Sequence, residues 1–362
     1  MKPLRIAQIA PLIESVPPVK YGGTERVVYS LTEELVERGH DVTLFASGDS
    51  RTSAKLYSLV ERGLRLDGKQ AANVVNSLLE LAHVYHEKSH EFDIIHSHVD
   101  FFTFPFAATS VTPTVLTLHG RLDMPVLVRM LQIYTDLNYV SISNAQRFPV
   151  PNVNWAGTVY HGYPPKCFPF NESPSDYFLY LGRFSPEKAP DQAIRLAKAC
   201  GIRLKIAAKV DPLETDYFNE YIRPMLDDPL IEYVGEVMEG EKIKLLKNAK
   251  ALLNTINWPE PFGLVMIEAL ACGTPVIVRR CGSSPEIIKH GKTGYVCSTE
   301  DDFKQAVYGI EKIKRKACRN DFEKRFSHKL MVDGYERIYY RLHQHRTRQR
   351  VLPLSRRVVS SG

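Results

Sequence analysis

No apolar run in this sequence is long enough for a membrane-spanning helix. The longest candidate, Phe101 to Leu118, is broken by Thr103, Pro105, Thr109, Ser110, Thr112 and Pro113. Lys2 and Arg5 precede an apolar stretch from Ile6 to Ile13, as an export signal would begin, but Gln8 interrupts it and Glu14 and Pro17-Pro18 follow. A buried first strand is the expectation. Cysteine is sparse: Cys167, Cys200, Cys272, Cys281, Cys297 and Cys318 form no paired zinc or redox spacing. They read as reduced, mostly buried small residues, which favours the cytoplasm. No G-x-G-x-x-G pattern follows a predicted strand, which argues against a nicotinamide dehydrogenase.

What is present is enough for two cores. At 362 residues the chain exceeds one ordinary domain, and two domains imply a cleft. Hydrophobic residues at 44% and charged residues at 24% exclude a disordered chain. Much of the net charge of +6 lies at the end, in Arg346, Arg348, Arg350, Arg356 and Arg357. Clustered basic side chains are drawn to anionic surfaces, so weak association with the inner face of a membrane is expected of this tail. A nucleic-acid partner is not.

The first half alternates β-rich runs with helix-patterned segments, the sign of parallel strands joined by crossover helices. Strands are predicted at Arg5–Ala10, Asp41–Ala46, Phe92–His98, Thr114–Gly120, Tyr139–Ser143 and Thr158–Gly162, with helices at Thr24–Arg38 and Ala71–His90. The Pro-rich stretch Tyr163 to Phe170 interrupts this pattern. It then restarts, with strands at Tyr177–Leu181, Arg203–Ala208, Ile231–Val234, Ala251–Asn254 and Pro275–Val278. Helices are expected near Asp191–Cys200, Asp216–Leu226, Glu241–Lys250 and Phe262–Cys272. The division is therefore 1–165, 166–326, a helix at 327–345 packing back across both domains, and a disordered basic tail at 346–362.

The segment Trp258-Pro259-Glu260-Pro261-Phe262-Gly263-Leu264-Val265-Met266-Ile267-Glu268 carries the strongest chemical signal. Two prolines forbid a helix upstream, so Glu260 sits just before a helix whose free N–H groups can hold a phosphate or a hydroxyl. Glu268 lies in an otherwise apolar helical run and needs a partner there. Two adjacent ribose hydroxyls would serve, and so would an ion pair with an Arg or Lys. Arg183 and Lys188 follow a predicted strand, where ligands of parallel sheets gather, and suit a diphosphate; a turn stabilised by Glu187 would look the same. Gly22 and Gly23 can cradle phosphate through backbone N–H groups. His96, His98 and Asp100 have strand-face spacing for a metal, but no third strong ligand stands nearby, and hydrogen bonding is the plainer reading. His119, at a strand end, points into the cleft or is a capped structural histidine.

Together these stretches resemble family 4 of the retaining glycosyltransferases. The resemblance rests on Tyr21-Gly22-Gly23-Thr24-Glu25, Asp93 to His98, Leu118-His119-Gly120, Ser141 to Arg147, Gly182-Arg183 with Lys188, and Glu260 with Glu268, seven residues lying between them. It implies an α/β GT-B fold, two facing Rossmann-like doubly wound domains with a deep cleft. It further implies that Arg183 and Lys188 bind a donor diphosphate, Glu268 its ribose, and Glu260 with Phe262, Gly263, Leu264 and Val265 the donor sugar. Gly22 and Gly23 would close over phosphate, the strand end Val234-Gly235-Glu236-Val237, Val234 and Gly235 foremost, would contact the base, and His119 would stand beside the sugar. Catalytic roles fall on His119, Arg183, Lys188 and Glu260. The implied reaction moves a hexose-type sugar from a nucleotide-diphosphate sugar, UDP by prior, to a sugar, lipid-linked or small-molecule acceptor with retention. No metal or other cofactor is implied. The alternatives are a GT-B phosphorylase using inorganic phosphate, a silent sugar-nucleotide or partner-binding protein, and a scaffold acting through the basic tail. In place of the family's frequent Asn-Gly hinge run the chain has His161-Gly162-Tyr163-Pro164, which suggests a stiffer hinge.

Overall fold

Short apolar runs that are buried on both faces become strands, and neighbouring strands pair in parallel throughout, as crossover helices on each face require. The computed structural model describes residues 2–19, 22–65, 68 and 72–351. Lys20, Tyr21 of the glycine turn, Ala71 at the expected start of the second helix, and 352–362 of the basic tail lie outside the described residues.

The first sheet holds β1 (Arg5–Ile9), β2 (Asp41–Phe45), β3 (Lys55–Tyr57), β4 (Ile94–Ser97), β5 (Thr114–Thr117), β6 (Asn138–Ser141) and β7 (Trp155–Thr158), in the order β3-β2-β1-β4-β5-β6-β7. The second holds β8 (Phe178–Phe184), β9 (Leu204–Val210), β10 (Ile231–Gly235), β11 (Ala251–Asn254), β12 (Val276–Arg279) and β13 (Gly294–Cys297), in the order β10-β9-β8-β11-β12-β13. In each sheet the order reverses beside its first strand, β1 or β8. A crevice opens at the carboxyl end of such a switch point.

Several expectations change. The strand read at Thr158–Gly162 lies earlier, at Trp155–Thr158. Val159 N–H still donates to Ser141 O at 2.9 Å, but the run beyond it leaves the sheet, and both Val159 and His161 are buried. The helix expected over Asp216–Leu226 breaks into an α-turn, a π-helical stretch and a 3-10 turn, since Pro224 lacks an N–H to continue it. The last helix runs His328–Val351 and does not stop at 345. Arg346 on it donates to the Phe92 carbonyl at 3.4 Å, so the basic segment begins as docked helix.

That helix joins the two cores. Met331, Val332, Tyr335, Ile338 and Tyr339 pack in one cluster with residues of both domains. The chain leaves the first domain through Tyr163 and returns through Ser327, with Tyr163 N–H donating to Phe326 O at 3.0 Å and His328 N–H to Tyr163 O at 3.1 Å. Any side chain at Gly162 would collide with the Ser327 backbone, so the two crossings can lie this close only with glycine there.

Glu80 stands apart from this tidy burial. It is 1% exposed on the helix Asn73–Ala82, both carboxyl oxygens are without partners, and burial pushes its carboxyl up to about 8. The unfolded chain releases that proton near pH ~4.3 while the fold retains it, so stability falls as pH rises from about 4 to about 8. Glu80→Leu should raise the melting temperature most at about pH 8, by on the order of 4 kcal/mol of stability, with the gain vanishing toward about pH 4. Superimposable melting curves across that range would rule this out.

Candidate active site

The carboxyl ends of both sheets face one cleft of about 590 Å³. Gly22, Gly23 and His119 line it from the first domain, and Arg183, Lys188, Glu260, Phe262, Gly263, Leu264, Val265 and Glu268 from the second. Val234 and Gly235 are not among the lining residues; the wall there is made by Glu236 and Val237, the next two along the chain.

The turn after β8 is built rigidly. Tyr180 Oη donates to the carbonyls of Arg183 and Lys188, both at 3.2 Å, and Thr255 Oγ1 donates to Ala189 O at 2.7 Å. Ala189 holds a left-handed φ of 46°, a strained conformation for a residue with a Cβ, directly after Lys188, which lines the cleft. Asn257 N–H donates to Glu187 O at 2.7 Å, tying this turn to the loop that bears Glu260. Lys188 Nζ donates to Glu260 Oε2 and lies 5.2 Å from the centre of the Trp258 ring, a cation-π contact that fixes the ammonium. Arg183 is 3.7 Å from Glu187, and its Nε has no protein partner.

Gly263 caps the helix Leu264–Ala271 with a φ of 78°, which is why the helix begins at Leu264 and not at Phe262. The first N–H groups of that helix lack intrahelical acceptors and face the cleft beside Glu260. One turn on, Glu268 is 4% exposed and meets Lys242 at 2.8 Å. The ion-pair alternative for Glu268 is thus realised in the structure. Lys242 also contacts Glu239 at 3.0 Å, and Glu239 meets Arg26 of the first domain at 2.8 Å. Alternating charges therefore run from the buried carboxylate to the opposite wall.

On that wall the sequence reading missed Glu14, Glu25, Arg26, Arg65 and His161, all of which line the cleft. Glu14 pairs with Arg65, and its other oxygen is buried without a partner. Glu25 is pushed up to about 7, chiefly by burial, with the Glu14 charge adding to it. Glu25 had a sequence signal in its place in the glycine turn and His161 in the hinge run; the others are united by tertiary contact. His119 stacks on His161 with ring centres 5.2 Å apart, and burial lowers His119 to about 3, so it is neutral at physiological pH. His96 uses both ring nitrogens, Nδ1 to Tyr339 Oη at 2.6 Å and Nε2 to Thr117 Oγ1 at 2.7 Å, so the His96–His98 pair is not an open ligand set. Among the described residues no group of three or more His, Cys, Asp or Glu is placed to hold a metal ion, and no helix is long and apolar enough to cross a membrane.

Two doubly wound domains whose strand ends face across a cleft, one wall offering Arg, Lys and two carboxylates, define a GT-B glycosyltransferase. Family models described as Glycosyltransferase Family 4 and Glycosyl transferases group 1 match residues 21–152 and 168–328, and the chain belongs to the family 4 glycosyltransferases. It is 24% identical, over 88% of its length and 94% of the relative's, to N-acetyl-alpha-D-glucosaminyl L-malate synthase of Bacillus anthracis. AviGT4, a glycosyltransferase involved in avilamycin A biosynthesis, superimposes with a TM-score of 0.74 at 24% identity, covering 94% of this chain and 98% of that one. HepE of Anabaena, solved in complex with UDP-glucose, superimposes with a TM-score of 0.69 at 17% identity, covering 94% and 100%.

Removing one partner of a buried ion pair strands the other, at a cost of about 3 kcal/mol or more, whereas replacing both with apolar groups recovers most of it. Lys242→Met should therefore destabilise the protein by roughly 3 kcal/mol in urea denaturation, and Lys242→Met with Glu268→Leu should regain most of that loss. Additive losses in the double variant would show that the two side chains do not act as a pair.

Proposed function

We propose that the protein transfers a hexose-type sugar from a nucleotide-diphosphate sugar, UDP-glucose being the model donor, to a hydroxyl acceptor with the anomeric configuration retained. The observation that carries this is the line of Arg183, Lys188, Glu260 and Glu268 along a single cleft wall, with cations between carboxylates. A diphosphate needs the cations, and the ribose and the transferred sugar, each offering hydroxyl donors, need the carboxylates. The UDP-glucose seen in the HepE structure supports this choice of donor.

The charges suit exchange of partners. Lys188 and Glu260 neutralise each other. When a diphosphate arrives, Lys188 turns to its oxygens together with Arg183, and Glu260 is released to accept from sugar hydroxyls. Neither step leaves a buried charge uncompensated. Glu268 keeps Lys242 on one oxygen and offers the other to a ribose hydroxyl. Glu236 and Val237 lie at the end of the strand that would meet the base.

In the reaction the bond from the sugar's anomeric carbon to the diphosphate oxygen breaks, and a bond to the acceptor oxygen forms on the same face. The acceptor's proton passes to the departing phosphate oxygen. Arg183 and Lys188 stabilise the negative charge that grows on that phosphate, a preorganised electrostatic contribution that needs no metal ion. His119, neutral and beside the sugar, orients it. The glycine turn at Gly22-Gly23 lies against Leu264 of the other domain and closes the cleft over the phosphates.

Arg183→Ala and Lys188→Ala should each lower kcat for donor turnover about 100-fold or more. Among UDP-, GDP-, ADP- and TDP-sugars, one donor class should raise the melting temperature by mass action, with UDP-glucose foremost. Proton NMR of the product should show the donor's own anomeric configuration. Near-normal turnover in both variants, or an inverted product, would sink this reading.

A further inference from the structure

The buried polar side chains beneath the first-domain wall form one unbroken hydrogen-bond path from the cleft to the last helix. His119 Nε2 lies 2.9 Å from His98 Nδ1, and His98 Nε2 lies 3.0 Å from Gln8 Oε1. Gln8 Nε2 donates to Tyr339 Oη at 3.2 Å, and Tyr339 Oη lies 2.6 Å from His96 Nδ1. His96 Nε2 is 2.7 Å from Thr117 Oγ1, which is 3.0 Å from Tyr335 Oη. Gln8, His96, His98, Thr117, Tyr335 and Tyr339 are each no more than 1% exposed. β1 and β4 set Gln8 directly beside His96 in register, and Tyr335 and Tyr339 stand one turn apart on the helix.

An amide is the one group in such a path with a fixed sense, because its oxygen only accepts and its nitrogen only donates. Gln8 turns its oxygen to His98, so His98 carries its proton on Nε2 and its Nδ1 is a bare acceptor. His119 must then donate from Nε2, which leaves the Nδ1 lone pair as the ring atom for the cleft. On the far side the Gln8 nitrogen donates to Tyr339, whose hydroxyl donates in turn to His96 Nδ1. Reversing any single link would set two donors or two acceptors against each other in a dry interior, at about 1 to 3 kcal/mol each, so the whole path takes its sense from the Gln8 amide.

We propose that Tyr339 and Gln8 are positioning residues that act through His98 to hold His119 in a single tautomer, presenting an acceptor to a hydroxyl of the donor sugar. The proposal rests on the glycosyl-transfer reading for the sugar, but the tautomer itself does not. The last helix thus does more than bridge the domains: one of its side chains sets which ring nitrogen meets the substrate. A lone pair there accepts from a sugar hydroxyl and repels a carboxylate, so the wiring selects a neutral sugar over a uronic acid at the position facing His119.

The test is two-bond proton–nitrogen NMR of the full-length protein labelled with 15N-histidine, without substrate, followed by kinetics. Wild type should show His96, His98 and His119 each as a single neutral form protonated on Nε2. Tyr339→Phe frees the Gln8 amide to turn, so His119 should become a mixture of tautomers. With it kcat for UDP-glucose should fall about tenfold, while the Kd for UDP, which lacks the sugar, stays at the wild-type value. A wild-type His119 protonated on Nδ1, or a Tyr339→Phe protein that keeps the single Nε2-protonated signal, overturns the proposal. If Tyr339→Phe does not fold, the wild-type spectrum alone decides. Failure to bind UDP alongside the stated tautomer would count against the donor assignment and leave the wiring standing.

Discussion

Everything in the cleft depends on one packing constraint, the docking of the helix His328–Val351 across a first domain that it does not follow in sequence. The chain must cross between the domains twice, at Tyr163 and again at Phe326 to His328, and the two crossings bond to each other through backbone groups. Arg38 reaches Asp333 at 2.7 Å, and His40 reaches Glu336 at 2.9 Å, so the helix is also held at its outer face. Two parallel sheets tethered at a single linker could face in many directions. With a second crossing and a shared core they turn their strand ends toward each other, and only then do His119 and Lys188 line a common space.

Contacts across the cleft reinforce that geometry. Glu286 accepts from the backbone of Asn144 at 2.9 Å and of Ala145 at 2.6 Å, and from Tyr160 Oη at 2.8 Å. Arg121 joins Glu187 at 3.0 Å, and Arg26 joins Glu239 at 2.8 Å. The last two pairs are partly exposed and add little stability by themselves. Their value lies in where they sit, one beside Arg183 and the other beside the Lys242–Glu268 pair, so domain approach is linked to the charge of the proposed donor site.

The sequence alone made much of this legible, and where it failed the reasons are physical. Parallel strands buried on both faces are visible as apolar runs, so β1, β2, β4 and β8 fall where expected. β3 was missed because it is a three-residue edge strand, mostly exposed, with no alternation to detect. β13 opens on a glycine and follows a turn, which hides it among loop residues. Glu260 and Glu268 stood out because a carboxylate beside a proline turn or in an apolar helix is locally anomalous. Lys242, Arg26 and Arg65 did not, since a cation on a helix or loop surface is ordinary until folding sets a carboxylate opposite it. Gln8 was noticed only as a break in an apolar run. Its partner is Tyr339, at the far end of the chain, and no local pattern could connect them.

The two walls divide the chemistry by kind of electrostatics. Four imidazoles, His96, His98, His119 and His161, cluster together; burial lowers all of them, and neighbouring rings add to this at His96, His98 and His161, so none carries charge at neutral pH. Proton transfer by any of these rings would require charging it in a dry interior, which the same burial opposes. In the proposed reaction the first domain meets the sugar with oriented dipoles, while the second meets the diphosphate with Arg183 and Lys188. A departing phosphate needs charge, whereas a sugar that is losing its leaving group needs placement without a competing nucleophile. Segregating the two on separate domains lets each wall be built for one task, and the crossing helix that joins the walls is also the element that orders the histidines.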